Sequence, residues 1–173
     1  MGKKVISFGL SEDEINKAIR ELEAYKRDIQ QKTERFREKV VARIAELSQS
    51  GFSGAVVDDL INNSKRIAQV NVTFGSKGDL SVVVANGEDA VWVEFGAGVY
   101  HNGASGSSPH PSGAELGFTI GSYGQGKGER SVWGYYEDGA LQLTHGTPAV
   151  MPMYNAVRTV CEELSVIAKE VFG

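Results

Sequence analysis

The stretch GSYGQGKGE, residues 121–129, places glycines and a lysine at almost the spacing of a phosphate-binding loop. Gly121, four residues and then Gly126-Lys127 follow the pattern G-x-x-x-x-G-K-[ST], in which the last hydroxyl binds magnesium. Gly128 stands where that hydroxyl is needed, and the chain continues into a predicted strand rather than a helix whose N-terminus could face an anion. We therefore expect a loop, and keep as an alternative a phosphate- or nucleotide-handling enzyme that uses residues 121–128 with Lys127 and Arg130.

The other reactive side chains are not spaced for catalysis or metal binding. The three histidines have no partner at zinc-ligand spacing, and Cys161 falls near the apolar stripe of a predicted helix, where a small core residue is expected. Acidic residues that are adjacent in sequence point apart and are expected as surface charge. We thus predict no catalytic residue, no metal ligand and no cofactor; the side chains considered are His101, His110, His145, Cys161, Asp58-Asp59, Glu88-Asp89 and Glu162-Glu163.

Length and composition indicate one globular domain over residues 1–173. The chain is 41% hydrophobic and 23% charged, with no apolar run long enough for a membrane span and no signal-peptide pattern at its N-terminus. The net charge of −4 is uneven, since residues 1–50 hold 11 basic and 9 acidic side chains and the remainder 7 and 13. Because the N-terminal charges alternate in sign, sequence-specific nucleic-acid binding is not expected.

A long helix is predicted over residues 11–49. Ser11 and Glu14 form a capping box, and Ile15, Leu22, Ile29 and Phe36 recur every seven residues as one narrow apolar seam. At 1.5 Å per residue this helix reaches roughly 60 Å, longer than a domain of this size is wide. Two arrangements stay open: the helix lies on its own sheet, bending back at an unseen break, or at least one end contacts another subunit.

Strands are predicted over 66–95 and 130–145, separated by a Gly-rich loop over 96–129. Residues 51–64 are read as a turn and a short helical piece, and residues 68–74 and 80–85 as a hairpin whose loop is 75–78. Residues 90–95, AVWVEF, are read as a further strand, and Asp138-Gly139 as the turn of a second hairpin.

A last helix is predicted over 149–172, with its apolar side chains facing inward: Met153, Val157, Val160, Leu164, Ile167 and Val171. The fold class is therefore α+β: a long N-terminal helix, a small antiparallel β-sheet with hairpins, and a C-terminal helix packed on the sheet.

Two short motifs flank the Gly-rich insertion. In the first, VEFGAG at 93–98, Glu94 is an acid in an apolar run that must point outward, end the strand or pair with a cation such as Arg130 or Arg158. Gly96 and Gly98 permit a sharp turn. In the second, TPAVMPMYNA at 147–156, two prolines open the final helix, where proline is tolerated. Both motifs read as structural joints.

In sequence and order, these motifs resemble those of the tail-completion (head–tail joining, neck) proteins of long-tailed bacteriophages and prophages. That family typically has a long charged N-terminal helix, a V-E-F-G-T-like motif and a P-A-x-P-F-like segment before a last helix; here Ala97 replaces the common Thr and Met153 the common Phe. The resemblance covers nearly the whole chain.

The resemblance implies a non-enzymatic structural protein of the virion neck or tail, assembled in the host cytoplasm. It would form a homo-oligomeric ring, for which the resemblance suggests six subunits, contact other neck and tail proteins, and let DNA pass through without sequence-specific binding. A helix-mediated regulatory binding module that uses the 15–47 seam is a second alternative. The residues predicted at protein interfaces are Trp92, Glu94, Phe95, Gly96, Tyr100, Tyr123, Trp133, Tyr135, Pro148 and Pro152. The 99–130 loop is expected to order only on assembly.

Overall fold

The structure, a computed structural model, describes residues 5–59, 64–78, 80–98, 108–118, 133–144 and 146–173. It confirms the α+β class with three helices and eight short strands among these residues. The helices are α1 (Glu12–Ser53), α2 (Ala90–Phe95) and α3 (Pro152–Phe172). The strands are β1 (Val56–Asp59), β2 (Ser64–Ile67), β3 (Asn71–Lys77), β4 (Leu80–Asn86), β5 (Ala97–Gly98), β6 (Trp133–Glu137), β7 (Ala140–Thr144) and β8 (Gly146–Thr147).

The strands form four separate antiparallel pairs, β1–β2, β3–β4, β5–β8 and β6–β7. Three of the pairs join consecutive strands, whereas β5–β8 joins residues about fifty positions apart, with Ala97 opposite Thr147 and Gly98 opposite Gly146. The predicted Asp-Gly hairpin is confirmed, because Asp138 and Gly139 take φ values of 50° and 79° between β6 and β7. The first hairpin is longer than predicted, since residues 75–77 continue β3.

Helix α1 is unbroken over 42 residues and starts at the predicted cap. The Ser11 hydroxyl oxygen accepts a hydrogen bond from the Glu14 backbone N–H at 3.4 Å and donates one to the Glu14 carboxylate at 2.7 Å. The helix continues past residue 49 through Gly51, where an added Cβ would lie 2.9 Å from the Pro152 Cβ. The prediction of a turn and a short helical piece over 51–64 is therefore wrong: α1 extends to Ser53 and β1 follows.

Helix α3 packs antiparallel against the C-terminal half of α1. Four contacts fix this pairing along its length: Phe36 with Phe172, Lys39 with Glu170, Arg43 with Glu163, and Gly51 with Pro152. The core lies at the C-terminal end of α1 and consists of Phe52, Ala55, Val57, Ala68 and Val93, with Val70, Val72, Ala85 and Met153 packed against it.

Two predicted inward side chains of α3 face solvent instead. Val157 is 43% exposed, and Cys161 is an exposed free thiol rather than a small core residue. Val160, Ile167 and Val171 are buried as predicted. Because α3 contacts α1 along a narrow stripe, the flanks of that stripe stay open to solvent.

Candidate functional site

The two motifs that flank the Gly-rich insertion meet in space and form one joint. We use "the joint" for residues 93–98, at the end of α2 and in β5, together with residues 146–154, in β8 and at the start of α3. The Val93 carbonyl accepts hydrogen bonds from the N–H groups of Val150 (2.8 Å) and Met151 (3.3 Å), next to the β5–β8 pair. The joint therefore connects segments that are more than fifty residues apart in sequence.

The predicted strand over 90–95 is wrong, because these residues form helix α2. The helix begins beside Asp89, whose buried carboxylate accepts two hydrogen bonds from the Arg66 guanidinium (2.6 and 2.9 Å) and one from the Gln69 N–H (2.8 Å). Val93 lies in the core with no exposed surface. These contacts decide the conformation in spite of a β-rich composition, as tertiary context commonly does.

The same contacts correct the prediction that Asp89 is surface charge. Burial raises the pKa of its carboxyl group, but the hydrogen bonds from Arg66 and from the Gln69 N–H outweigh this, and the pKa lies below its ordinary value. Glu163, in another acidic pair predicted as surface charge, is bound by Arg43 at 3.0 Å. Hydrogen bonding to Arg43 lowers the Glu163 pKa, while desolvation opposes this.

Gly96 ends α2 with a left-handed backbone. Its φ is 80°, and a Cβ at this position would lie 3.1 Å from both the Ala149 Cβ and the Ala149 backbone nitrogen. Glycine is required here for two reasons: the positive φ of its backbone and the close approach of the second motif. The sharp turn that the sequence predicts after Phe95 thus follows a helix rather than a strand.

Glu94 caps the N-terminus of α3. Its two carboxylate oxygens accept hydrogen bonds from the backbone N–H groups of Met153 (2.8 Å) and Tyr154 (2.9 Å). Pro152, at the first turn, has no N–H, and the N-cap residue Met151 has a left-handed backbone and makes no side-chain cap. A carboxylate at this place satisfies otherwise unpaired donors and interacts favourably with the helix dipole.

This geometry corrects the expected partners of Glu94. The residue lies on a helix, is only 6% exposed, and its carboxylate accepts hydrogen bonds from a helix N-terminus. Arg158 instead lies over the Tyr154 ring at 5.9 Å, and Arg130 is outside the described residues.

His110 is a second member of the site that sequence reasoning did not single out. Its Nε2 lies 3.3 Å from the Glu94 carboxylate, and its Nδ1 accepts a hydrogen bond from the Ser112 N–H at 3.0 Å. Since Nδ1 accepts, the hydrogen of a neutral ring is assigned to Nε2, which faces the Glu94 carboxylate. The ring also contacts Phe95 (4.4 Å between centroids) and Tyr154 (5.3 Å).

His110 belongs to a compact turn, residues 108–118, that clamps onto α2. The Ser108 hydroxyl donates to the Phe95 carbonyl oxygen, and the Phe118 ring stacks on the Phe95 ring at 4.2 Å with an interplanar angle of 4°. The Ser108 N–H donates to the Phe118 carbonyl oxygen at 3.1 Å and closes the turn. A sequence signal existed: prolines at 109 and 111 flank the histidine in an otherwise Gly- and Ser-rich stretch.

Ser108, His110 and Glu94 have the residue types of a catalytic triad but not its geometry. In a triad the histidine bonds to the serine through one ring nitrogen and to the acid through the other. Here the second ring nitrogen is occupied by the Ser112 N–H, and the Ser108 hydroxyl donates to a backbone carbonyl. Both Glu94 oxygens are already occupied by the α3 N-terminus, so these groups hold three segments of chain together.

The predicted interface residues are divided by the structure. Glu94, Gly96 and Pro152 are buried within the subunit, Phe95 and Trp92 are half-buried, and Pro148 is exposed. Trp133 and Tyr135 lie on β6, away from the joint in sequence, and Tyr100 and Tyr123 are outside the described residues. Their assignment to an interface stays a prediction.

The phosphate-loop alternative cannot be placed on the fold, because residues 121–128 with Lys127 and Arg130, like most of the 99–130 loop, lie outside the described residues. His101 and His145 are also outside them. Within the described ranges, no three His, Cys, Asp or Glu side chains are grouped to hold a metal ion. Across the same ranges, no helix is long and apolar enough to cross a membrane.

A second candidate feature is the N-terminal part of α1, which extends beyond the other helices and strands of the described ranges. Phe36 lies beside Phe172, the last helical residue of α3, and Arg37 reaches Gly78 at the tip of the β3–β4 hairpin. Residues 12–35 therefore project past both elements, by roughly 36 Å at 1.5 Å per residue. Only Ala18 is buried among them.

The projecting part carries exposed aliphatic side chains on one face. Ile15, Ile19 and Leu22 are 38%, 48% and 54% exposed, and we call these three residues the N-terminal stripe. A helix in a folded domain ordinarily buries such a face. The uninterrupted helix rules out bending back at a break within α1.

Comparisons with protein-family models, with curated proteins and with solved structures found no match for this chain.

Proposed function

We propose that this protein is a non-enzymatic, ring-forming subunit of a bacteriophage or prophage neck, which completes the tail and joins it to the head. The observation that carries the proposal is the meeting of the two motifs on which the resemblance to tail-completion proteins rests. Glu94, in the first motif, caps the helix opened by the second, at 2.8 and 2.9 Å. The two motifs act on each other, which supports reading them as one functional unit.

The joint fixes the direction in which its neighbouring segments leave the body. The 108–118 turn is bound to α2 through Phe95, while the β5–β8 pair holds together the two ends of the segment between the two motifs. In a neck ring, the chain segments that leave the joint would present the loop between the two motifs to adjacent subunits or to the head connector. The joint itself would stay internal and keep the loop ends at a fixed separation.

The projecting helix supports self-association. A monomer would leave the N-terminal stripe in water, together with Phe8 (59% exposed) and Leu10 (92%) just before the helix. Exposed apolar surface of this kind marks protein contacts. Repeated contacts between copies of one chain close into a ring when the rotation between neighbours permits it. The net charge of −4 suits a conduit along which DNA slides without adhering.

Light scattering coupled to size-exclusion chromatography over a concentration series tests the proposal. The wild-type chain is expected to form a discrete multimer or to grow towards one with rising concentration. Leu22→Glu places a charge in the N-terminal stripe and is expected to shift the protein to monomer. Ala24→Glu is the matched control, because Ala24 is exposed and lies on the opposite face of the same helix.

A chain that is monomeric at every concentration and whose loss leaves infectious, properly joined particles would contradict the proposal. The projecting helix also fits the second alternative, a module that binds a helix of another protein. That function predicts a strict monomer that forms 1:1 complexes with its partner. The phosphate-handling alternative predicts nucleotide-dependent thermal stabilisation that Lys127→Ala abolishes.

A further inference from the structure

A second unpartnered apolar face lies on the β3–β4 hairpin. Because side chains alternate across a strand, Ser81, Val83 and Ala85 face α1, whereas Leu80, Val82 and Val84 point away from it. The latter three are 71%, 50% and 44% exposed, and we call them the hairpin face. Among the described residues, the N-terminal stripe and the hairpin face are separate apolar surfaces, one on a helix and one on a sheet.

The two surfaces match in length. The N-terminal stripe spans eight residues of helix from Ile15 to Leu22, roughly 10 Å from first to last. The hairpin face spans five residues of strand from Leu80 to Val84, roughly 13 Å from first to last. An aliphatic helix stripe laid on the aliphatic face of a two-stranded sheet is a common packing in folded domains. These two surfaces cannot meet within one subunit, because the stripe projects beyond the hairpin tip, which lies at Arg37.

Charge favours this pairing over an antiparallel pairing of two stripes. Glu14, Glu21 and Asp28 recur every seven residues along one flank of the stripe. In an antiparallel two-fold pair of helices the same flank of both copies meets, so these acids would face each other. Among the outward-facing positions of β3 and β4, the charged side chain is Lys77, which is opposite in sign to the acidic flank.

We propose that the N-terminal stripe of one copy docks on the hairpin face of the next copy, with Lys77 beside the acidic flank. Each subunit uses both surfaces, so the contact repeats from copy to copy, and it closes as a ring when the rotation between neighbours permits. This inference rests on the proposed ring and names the surfaces that would build it.

Disulfide trapping tests the contact directly. In a Cys161→Ser background, Leu22→Cys combined with Val82→Cys is expected to give, on mild oxidation, a ladder of covalent multimers on a non-reducing gel. Each single cysteine variant is expected to stay monomeric on that gel. Ala24→Cys combined with Val82→Cys is the matched control and is expected to give no ladder, because Ala24 lies on the opposite helix face. Leu22 and Val82 are about half exposed, so neither change disturbs the core.

The outcomes separate this inference from the proposed function. Cross-linked dimers from Leu22→Cys alone would show that stripe meets stripe and would overturn the docking. No ladder from the double variant, with a multimer still seen by light scattering, would also overturn the docking and leave the ring intact. A strict monomer in both assays would remove the proposed ring and the docking together.

A charge-reversal pair gives a second readout that needs no oxidation. Lys77→Glu is expected to weaken association several-fold by light scattering, and Glu21→Lys in the same chain to restore part of it. Equal association of the wild type, the single variant and the double variant would contradict the charge pairing.

Discussion

The capping of α3 by Glu94 gives the sharpest test of the joint. Glu94→Gln keeps the size of the side chain but replaces one acceptor oxygen with an NH₂ group. In either orientation, this NH₂ faces a backbone N–H of α3, at Met153 or Tyr154, and leaves that buried donor unpaired. The Glu94 side chain is 8% exposed, so water does not readily replace the lost bond.

The size of the loss in the free energy of unfolding follows from the hydrogen bonds that Glu94→Gln removes or weakens. A hydrogen bond to a charged group contributes about 1.5–3 kcal/mol, and the surviving bond weakens when its acceptor becomes neutral. We expect the free energy of unfolding to fall by about 2–4 kcal/mol. For a chain of this size, about 1 kcal/mol shifts Tm by about 2–4 °C, so Tm should fall by about 4–16 °C.

Urea unfolding followed by circular dichroism measures this loss. Wild type and variants are compared at one fixed protein concentration, because association of copies stabilises the folded state. Glu88→Gln is the matched control, since Glu88 is exposed close to the start of α2 and its loss should change stability by no more than about 0.5 kcal/mol. A Glu94→Gln protein as stable as this control would refute the capping role.

Three further predictions concern the same region. Gly96→Ala should cost about 2–3 kcal/mol in urea unfolding through its φ of 80° and its contact with Ala149, whereas Gly75→Ala, which meets no atom within 4 Å, should be nearly neutral; equal costs would contradict this. The pKa of Asp89 is lowered in the folded state, so the stabilisation that Asp89 provides is present above the unfolded pKa near 3.9 and is lost as pH falls through the folded value. The stability difference between wild type and Asp89→Asn should therefore shrink below about pH 4. A constant difference would disprove this prediction. His110→Ala should release the 108–118 turn and speed limited proteolysis there, and unchanged cleavage would argue against the clamp.

Local signals in the sequence predicted the elements that local interactions stabilise. The capping box at Ser11 predicted the start of α1 to within one residue, and Asp138-Gly139 predicted the β6–β7 turn because both residues accept positive φ. The long apolar seam also predicted a helix too long for one domain, and the structure shows its N-terminal end projecting.

Predictions from the sequence were wrong or incomplete where residues distant in sequence determine the local conformation. Residues 90–95 have a strand-like composition, yet Arg66 binds Asp89 across 23 positions and the partners of Glu94 lie 59 and 60 positions away. A short window of sequence contains none of these partners, so the sequence alone predicts that Glu94 points outward, ends a strand or pairs with a cation. The structural role of His110 could not be predicted for the same reason, because it depends on contacts with Glu94 and Phe95, which are distant in sequence.

Electron microscopy of the wild-type chain, at a concentration where light scattering reports a multimer, tests the central claim most directly. If the protein forms a neck ring, closed rings with a uniform number of subunits and an open centre are expected. These rings should be lost in Leu22→Glu but not in Ala24→Glu. Single subunits, two-fold dimers or compact particles without an opening would contradict it.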